Sequence, residues 1–202
     1  MFGEGEPLIL INGGPGFPSN HFVPLAQELA KNKRQVIIFD QRGTGRSRLS
    51  KLDADTVNMK LMIEDIEALR NHLQISNWTL MGHSFGGVLA MSYAVQYPDR
   101  VNSIILSASG GIDLEFHDYI AANIAVRLSP SQRLLLDYWS KKIRDNKDVD
   151  RAIQERLKLN LSAYVFYPEN RPTIIKSLTE TSKLVPIVND LVWNDLNKQN
   201  YN

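Results

Sequence analysis

Residues 80–87 read Leu-Met-Gly-His-Ser-Phe-Gly-Gly and place Ser84 between two glycines, Gly82 and Gly86. Apolar residues precede this segment and a helical pattern follows it, which predicts a sharp turn between a buried strand and a helix. The glycines have a steric reason, because a Cβ two residues before or after the serine would collide with backbone in so tight a turn. Such a turn holds Ser84 in a strained conformation beside the positive end of the helix, so Ser84 is a candidate nucleophile.

The composition is that of a globular protein and argues against several classes. The 202 residues are 43% hydrophobic and 22% charged, and 23 Lys and Arg nearly balance 22 Asp and Glu. A net charge of +1 gives no electrostatic reason to bind nucleic acid or an anionic membrane. We see no membrane span or secretory signal, and the absence of cysteine excludes disulfides and thiolate metal sites. We therefore expect a cytoplasmic protein without nucleic-acid or membrane partners.

Short apolar runs alternate with helical patterns, which predicts an α/β fold with a doubly wound, mostly parallel sheet. The apolar runs are continuous, as expected for strands that are covered on both faces. The predicted strands cover residues 8–11, 35–39, 79–82 and 103–106. The predicted helices between them cover residues 22–31, 55–73 and 85–97, the second with an Asp as its N-cap.

The character of the sequence changes after the fourth strand. Residues 112–199 contain no convincing strand and carry successive amphipathic patterns, at 130–143, 149–160, 173–183 and 186–196. Ser129 before Pro130 is typical of an N-cap followed by proline at the first helical position. We therefore expect a core over residues 1–111 and a helical lid over residues 112–202. In open α/β sheets ligands bind at the carboxyl edge, which such a lid would cover.

Three motifs follow the first three predicted strands in order. They are Asn-Gly-Gly-Pro-Gly at 12–16, Asp-Gln-Arg-Gly-Thr-Gly-Arg-Ser at 40–47 and Gly-His-Ser-Phe-Gly-Gly at 82–87. Together they resemble the α/β-hydrolase superfamily and, within it, the proline iminopeptidase-like branch (peptidase family S33). Members of that branch typically have His where this chain has Asn12. The resemblance implies an α/β-hydrolase core, expected to be incomplete in this chain, with a helical cap and with no metal or organic cofactor.

The resemblance also implies an oxyanion hole beside the nucleophile Ser84. Its backbone N–H donors would be Phe85, which follows the serine, and Gly14 in the loop after the first strand. One such donor stabilises the transition state by about 3–4 kcal/mol. The alternative is that residues 13–16 form only a tight turn. Residues 40–47 are expected to brace the neighbouring loops, since they lack the spacing and the Gly-Lys-Ser/Thr ending of a phosphate-binding loop.

The acid and the base of a catalytic triad are harder to place. In this superfamily the order is Ser, acid, His, and no histidine follows His117. Asp113 and His117 satisfy the order but lie four residues apart, whereas the base is normally delivered by a separate loop after a strand. We therefore expect the triad acid and base to be absent from this chain, which would be a fragment or a truncated product, with Asp113 and His117 as the alternative. His21 is a candidate for substrate contact.

Three functions stay open at this point. The leading hypothesis is a serine hydrolase of the proline iminopeptidase-like type, which releases N-terminal residues from short peptides or amides. An esterase or another small-molecule hydrolase would use the same motifs, because a fold does not determine a substrate. The third is a non-catalytic remnant or binding protein that keeps the pocket without the base. The sequence leaves the oligomeric state open.

Overall fold

The computed structural model describes residues 1–111, 116–178 and 183–198, with side chains except at 116–118. By their contacts the residues fall into two compact units. The first combines residues 1–114 with residues 182–202, and the second spans residues 115–181. No helix among the described residues is long and apolar enough to cross a membrane. The cytoplasmic location stays a prediction.

The first unit is built on a parallel sheet, as the sequence predicted. In the described residues it has four strands in the order β2-β1-β3-β4, and every neighbouring pair is parallel. The strands are β1 (Glu6–Ile11), β2 (Arg34–Ile38), β3 (Trp78–His83) and β4 (Val101–Ser107). Since all four run in one direction, the three sequence motifs follow strand ends at the same edge of the sheet.

Helices cover the two faces of this sheet because side chains alternate between the faces along each strand. Leu8, Leu10 and Val36 face Phe22 and Ala26 in one apolar cluster. The opposite face, with Ile9, Ile11 and Leu80, packs against the other helices. The helices of this unit are α1 (Val23–Ala30), α2 (Met59–His72), α3 (Phe85–Gln96) and α8 (Pro186–Lys198).

The last helix belongs to the sheet unit, although the sequence grouped it with the helices of residues 112–202. Val188, Val192 and Leu196 are fully buried in the core cluster of the sheet. They are spaced four residues apart and so form one apolar stripe along α8. Asp195 also accepts a hydrogen bond from the first amide of α2, Met59 N, at 2.9 Å. Burial of this stripe and the hydrogen bond from Met59 to Asp195 both attach α8 to the core.

The start of α2 differs from the prediction. The sequence favoured a helix from residue 55 with an aspartate as its N-cap, but α2 begins at Met59. The cap is Asn58, whose side chain accepts the Leu61 amide at 3.0 Å. Asp53 instead closes the preceding turn, because its Oδ1 accepts the amide of Thr56 at 3.0 Å. Short polar side chains accept hydrogen bonds from nearby backbone amides. Several such side chains precede α2, so the sequence alone did not determine which of them caps the helix.

The second unit is helical in its described residues. Leu128, Ala152, Leu161 and Ala163 are its buried apolar residues, and α6 packs against α4, α5 and α7. The predicted N-cap is confirmed, because Ser129 and Gln132 form a capping box with Pro130 at the first helical position. The helices are α4 (Phe116–Arg127), α5 (Pro130–Arg144), α6 (Val149–Tyr164) and α7 (Arg171–Lys176).

β4 departs from the expectation that all four strands are buried on both faces. Its two end residues, Val101 and Ser107, are half-buried, and the residues between them are exposed, including the apolar Ile104, Ile105 and Leu106. An apolar run in a sequence shows that burial is favourable but does not show which element supplies it.

A charged network joins α2 to α3 and gives the fold a pH dependence. Arg70 donates to both oxygens of Glu67, at 2.9 and 2.7 Å, and the Tyr93 hydroxyl donates to Glu67 at 2.8 Å. These bonds, the Arg70 contribution first, lower the pKa of Glu67 from 4.5 to about 2. Because the pKa is lower in the folded state, Glu67 stabilises the fold above about pH 4.5, and this contribution is lost as the pH falls towards 2.

We expect Glu67→Gln to reduce the free energy of unfolding by about 1.5–3 kcal/mol at pH 7, the usual contribution of a hydrogen bond to a charged group. The difference from wild type should shrink as the pH falls from 4.5 towards 2. Urea unfolding at several pH values measures both effects. Glu28→Gln is the matched control, since Glu28 forms an exposed ion pair with Lys31 and such pairs contribute little. Equal pH dependence in wild type and Glu67→Gln would contradict the role given to Glu67.

Candidate active site

Ser84 lies at the junction of β3 and α3, as the motif predicted. Its backbone has φ 53° and ψ −124°, a positive φ that is uncommon for a residue with a Cβ. The turn is closed on both sides: the Ser84 amide donates to the Ser107 carbonyl at 3.0 Å, and the Ser84 carbonyl accepts the Gly87 amide at 2.9 Å. These bonds hold a strained residue at the carboxyl edge of the sheet and at the N-terminus of α3.

The two glycines of the motif are required by close approach, as expected. A Cβ added to Gly82 would lie 2.4 Å from the Gly86 carbonyl oxygen. A Cβ on Gly86 would lie 2.1 Å from the Ile11 carbonyl oxygen. Real Cβ atoms do not come this close to backbone, so α3 can pack directly on β3 at Gly82 and on β1 at Gly86 only because these side chains are absent. The steric argument made from the sequence is therefore confirmed at both positions.

The loop after β1 lies directly against the serine. A Cβ added to Gly13 would be 2.8 Å from Ser84 Cβ and 3.4 Å from Ser84 Oγ. In the described parts of the chain, the amides of Gly14 and Phe85 donate to no protein acceptor. The first amides of a helix have no partner within the helix, which accounts for Phe85. The role of these two amides in an oxyanion hole stays a prediction.

The side chain of Asn12 stabilises the loop after β1 by hydrogen bonds to the backbone of that loop. The residue is fully buried, and its Nδ2 donates to the carbonyl oxygens of Gly13 at 3.0 Å and Phe17 at 2.9 Å. Gln41, also buried, donates from Nε2 to the Asn12 carbonyl at 2.7 Å. Asn12 stands where the resembling branch has His, and its amide bridges two carbonyls of the same loop. Gln41 lies within residues 40–47, which were expected to brace the neighbouring loops, although no pattern singled out this residue.

Two residues at the start of α8 and just before it also brace the loop after β1. Val185 N donates to the Gly16 carbonyl at 2.8 Å, and Asn189 Nδ2 donates to the Pro15 carbonyl at 2.9 Å. Both contacts join positions more than 160 residues apart in sequence. Sequence patterns do not report such pairs, so these bracing residues could only be found from the structure.

Asp40 follows β2 and braces the neighbouring loops, as predicted for residues 40–47. Its Oδ1 accepts the amide and the hydroxyl of Ser19, both at 2.8 Å, and its Oδ2 accepts the Arg46 amide at 3.0 Å. Burial raises the pKa of Asp40, but the hydrogen bonds from Arg46 and Ser19 outweigh it, and the pKa lies below its ordinary value. Arg42 makes a separate ion pair with Asp65, with two bonds of 2.7 Å.

Two histidines lie close to the serine turn. The His21 ring contacts Phe22 at a centroid distance of 4.4 Å, and Phe22 contacts His83 at 5.4 Å. Burial lowers the pKa of His21 to about 4 and also lowers the pKa of His83. Both rings are therefore neutral at pH 7. His83 Nδ1 lies 3.5 Å from Ser107 Oγ, in keeping with the packing role expected for it.

Of the remaining candidates, His72, Asp113 and His117, the structure describes the side chain of His72 only. His72 is exposed near the end of α2, as expected. Asp113 lies outside the described residues, and so does the side chain of His117. Contact between His21 and a substrate stays a prediction. Within residues 1–111, 116–178 and 183–198, no three His, Asp or Glu side chains are grouped so that they could hold a metal ion.

Comparison with known proteins identifies relatives that match about half of the chain. Over 107 residues it is 36% identical to a proline iminopeptidase of Lactobacillus helveticus, which covers 52% of this chain and 36% of that protein. Over 108 residues it is 40% identical to the proline iminopeptidase of Clostridium botulinum, which covers 53% of this chain and 36% of that protein. The chain thus spans little more than a third of the length of these curated relatives.

Solved structures match a longer part of the chain. The proline iminopeptidase of Mycobacterium smegmatis has a TM-score of 0.66 at 22% identity, covering 94% of this chain and 64% of that one. A thermophilic esterase from Thermogutta terrifontis has a TM-score of 0.64 at 23% identity, covering 96% and 64%. At this identity the likeness concerns the fold alone.

The match to a family model covers the sheet and the start of the helical unit. Residues 6–144, more than half of the chain, match the model of the alpha/beta hydrolase fold. The matched residues include all four strands and the turn at Ser84. The relatives named proline iminopeptidase agree with the resemblance seen in the sequence motifs. The chain belongs to the alpha/beta hydrolase fold family.

Proposed function

We propose that Ser84 is the nucleophile of a serine hydrolase of the proline iminopeptidase type, which releases N-terminal residues from short peptides or amides. The observation that carries this proposal is the positive φ of Ser84 at the strand–helix turn, with Gly13 packed against it. The curated relatives named proline iminopeptidase, 36–40% identical over half of the chain, support the branch. The helical unit would serve as the cap.

The mechanism follows from the groups around Ser84. Its Oγ attacks the carbonyl carbon of the substrate, and the proton of the hydroxyl passes to a base. The amides of Gly14 and Phe85 donate to the oxyanion of the tetrahedral intermediate, which is where negative charge develops. Collapse returns the proton to the leaving amine and gives an acyl-Ser84 ester, which water then hydrolyses. No metal or organic cofactor takes part in these steps.

The base is the part of this mechanism to which we assign no residue. His21 has a pKa of about 4 and would be a weak base at neutral pH. His72 is exposed at the far end of α2. The pair Asp113 and His117 remains the alternative within this chain. For the 202-residue chain alone we therefore propose weak hydrolysis at most.

An esterase is the second candidate function. The Thermogutta terrifontis esterase resembles this chain as closely in fold as the Mycobacterium smegmatis iminopeptidase, with TM-scores of 0.64 and 0.66. The turn at Ser84 serves ester and amide hydrolysis equally. A non-catalytic binding protein, which keeps the pocket and lacks the base, is the third.

A panel of chromogenic substrates separates these functions. We expect proline p-nitroanilide to be cleaved with at least tenfold higher kcat/KM than alanine or leucine p-nitroanilide, about 1.4 kcal/mol of discrimination. Added EDTA should leave the rates unchanged. Cleavage of p-nitrophenyl acetate without any anilide cleavage would favour an esterase. Calorimetric binding of prolinamide without turnover of any substrate would favour the binding protein.

A further inference from the structure

The last helix of the sheet unit presents two neighbouring stripes of side chains. Val188, Val192 and Leu196 are fully buried in the core cluster of the sheet. Asn189 and Trp193 each follow one of these residues, are half-buried and lie four positions apart, so they share one side of α8. The first stripe fixes α8 on the core. The second stripe contacts the two segments that carry the candidate oxyanion donors.

The first of these segments is the loop after β1, which carries the Gly14 amide. Asn189 Nδ2 donates to the Pro15 carbonyl at 2.9 Å. Val185 N, directly before α8, donates to the Gly16 carbonyl at 2.8 Å. A Cβ added to Gly16 would lie 2.8 Å from the Val185 carbonyl oxygen and 3.3 Å from Asn189 N. Two consecutive carbonyls after Gly14 are therefore held, and the backbone of the loop lies directly against α8.

The loop is held on the other side of Gly14 as well. Asn12 Nδ2 donates to the carbonyl oxygens of Gly13 and Phe17. The peptide that joins Gly13 to Gly14 is trans, so its C=O and its N–H point in opposite directions. The bond from Asn12 therefore sets the direction of the Gly14 N–H, and the bond from Asn189 keeps the following part of the loop from turning it away.

The second segment is the start of α3, which carries the Phe85 amide. The Trp193 ring meets the Phe85 ring edge to face, with centroids 5.8 Å apart and planes at 70°, a favourable arrangement of aromatic rings. The Phe85 side chain is 2% exposed and belongs to the same core cluster as the buried stripe of α8. A ring enclosed in this way cannot move without its backbone. The contact with Trp193 therefore helps to fix the Phe85 amide.

One turn of α8 thus contacts two segments that are far apart in sequence. Asn189 and Trp193 are separated by about 6 Å along the helix axis. An oxyanion hole works only if its donors converge on the place where the oxyanion forms. A displacement of about 1 Å in such a site can lower the rate by about 10²-fold. A rigid helix in contact with both segments therefore sets the separation of the two amides.

We propose that α8 aligns the two donors of the oxyanion hole, with Asn189 as the positioning residue of the Gly14 amide and Trp193 as that of the Phe85 amide. The inference rests on the proposed function of Ser84. Neither side chain is given a contact with substrate, because each acts through the backbone of the residue that it holds. Loss of either contact should weaken the stabilisation of the transition state and leave the binding of the reagent or substrate nearly unchanged.

The first test measures how fast a p-nitrophenyl phosphonate labels Ser84. Ser84 Oγ bonds to phosphorus, p-nitrophenolate leaves, the hydroxyl proton passes to solvent, and peptide mass locates the adduct. Asn189→Asp keeps the size of the side chain but places an acceptor against the Pro15 carbonyl. It should lower the maximal labelling rate about tenfold or more, with little change in the half-saturating concentration. Asn194→Asp is the matched control, since Asn194 is exposed on the same helix, and it should label at the wild-type rate.

The second test changes the aromatic contact. Trp193→Leu removes the ring that meets Phe85 and should lower the maximal labelling rate, whereas Trp193→Phe keeps an aromatic edge and should restore most of it. Urea unfolding of every variant separates positioning from stability. A merely structural role predicts that labelling falls only in proportion to the unfolded fraction. The positioning role predicts slow labelling of a fully folded Asn189→Asp.

The third test observes the two amides without any reaction at Ser84. In protein labelled with ¹⁵N-glycine and ¹⁵N-phenylalanine, Asn189→Asp should shift the amide resonance of Gly14, and Trp193→Leu should shift that of Phe85. Asn194→Asp should shift neither. Unchanged resonances, or equal labelling rates in Asn189→Asp and Asn194→Asp, would overturn the alignment by α8 alone. Wild type that does not react at Ser84 would overturn the proposed function, and this inference with it.

Discussion

Replacing Ser84 by alanine should abolish the hydrolysis of aminoacyl and ester reporters and leave the fold intact. The change removes only Oγ, and the backbone bonds from Ser84 to Ser107 and Gly87 remain. Where a histidine base activates the serine, losing the nucleophile lowers kcat by about 10⁶-fold. Where the base is missing, the oxyanion hole and binding alone give about 10³-fold over water. The size of the loss therefore reports whether a base acts on Ser84.

The measurement is the steady-state rate with proline p-nitroanilide and p-nitrophenyl acetate, together with the intact mass after reaction with an organophosphonate. The matched control is Ser92→Ala on α3. Ser92 Oγ is buried and has no partner among the described residues, so its loss should not change the rate. Equal rates in wild type and Ser84→Ala would refute the proposed nucleophile. Robust turnover of the 202-residue chain that is lost on His117→Ala would make His117 the base.

The sheet could be predicted because each of its strands carries a local signal. Continuous apolar runs gave the four strands to within two residues at each end. The alternation with helical periodicity gave the parallel direction. The position of α8 could not be predicted, because the stripe Val188, Val192 and Leu196 fits any apolar surface of the right width. Its return to the sheet depends on residues more than 100 positions away.

The exposure of β4 could not be predicted for a related reason. Its apolar run is of the same kind as the runs of β1 and β3. Such a run shows which side chains would be buried favourably, but not whether another element covers them. Whether a neighbour is present to cover Ile104, Ile105 and Leu106 is a property of the assembled sheet. The predicted burial of this strand on both faces was therefore wrong in the described structure.

The candidate site divides in the same way. Ser84, Gly82 and Gly86 could be predicted because a tight strand–helix turn has a fixed spacing of small residues. A bracing role was predicted for residues 40–47 as a segment, but the specific bonds of Gln41 to Asn12 and of Asn189 to Pro15 could not be predicted, since they run from side chains to distant backbone. An amide side chain has no pattern of its own in a sequence, and its partner is determined only when the strands assemble.

Gly86→Ala should destabilise the protein by several kcal/mol. The added Cβ would lie 2.1 Å from the Ile11 carbonyl oxygen and 2.8 Å from the Asn12 carbonyl oxygen, and neither backbone atom can rotate away. Alanine favours a helix by about 1 kcal/mol over glycine, so propensity alone predicts the opposite sign. Overpacking against fixed atoms typically costs about 1–3 kcal/mol and sometimes more, and here α3 must move off β1 to relieve it.

That movement would also reach the candidate site, because α3 begins at Phe85 and its displacement shifts the Phe85 amide relative to Ser84. We expect urea unfolding to show a loss of about 3 kcal/mol or more, a large part of the 5–15 kcal/mol that usually stabilises a domain, with hydrolysis reduced in the fraction that still folds. Val95→Ala, on the exposed side of the same helix, is the control and should be nearly neutral. A neutral or stabilising Gly86→Ala would mean that helix propensity outweighs the contact, and that α3 does not rest on β1 at this residue.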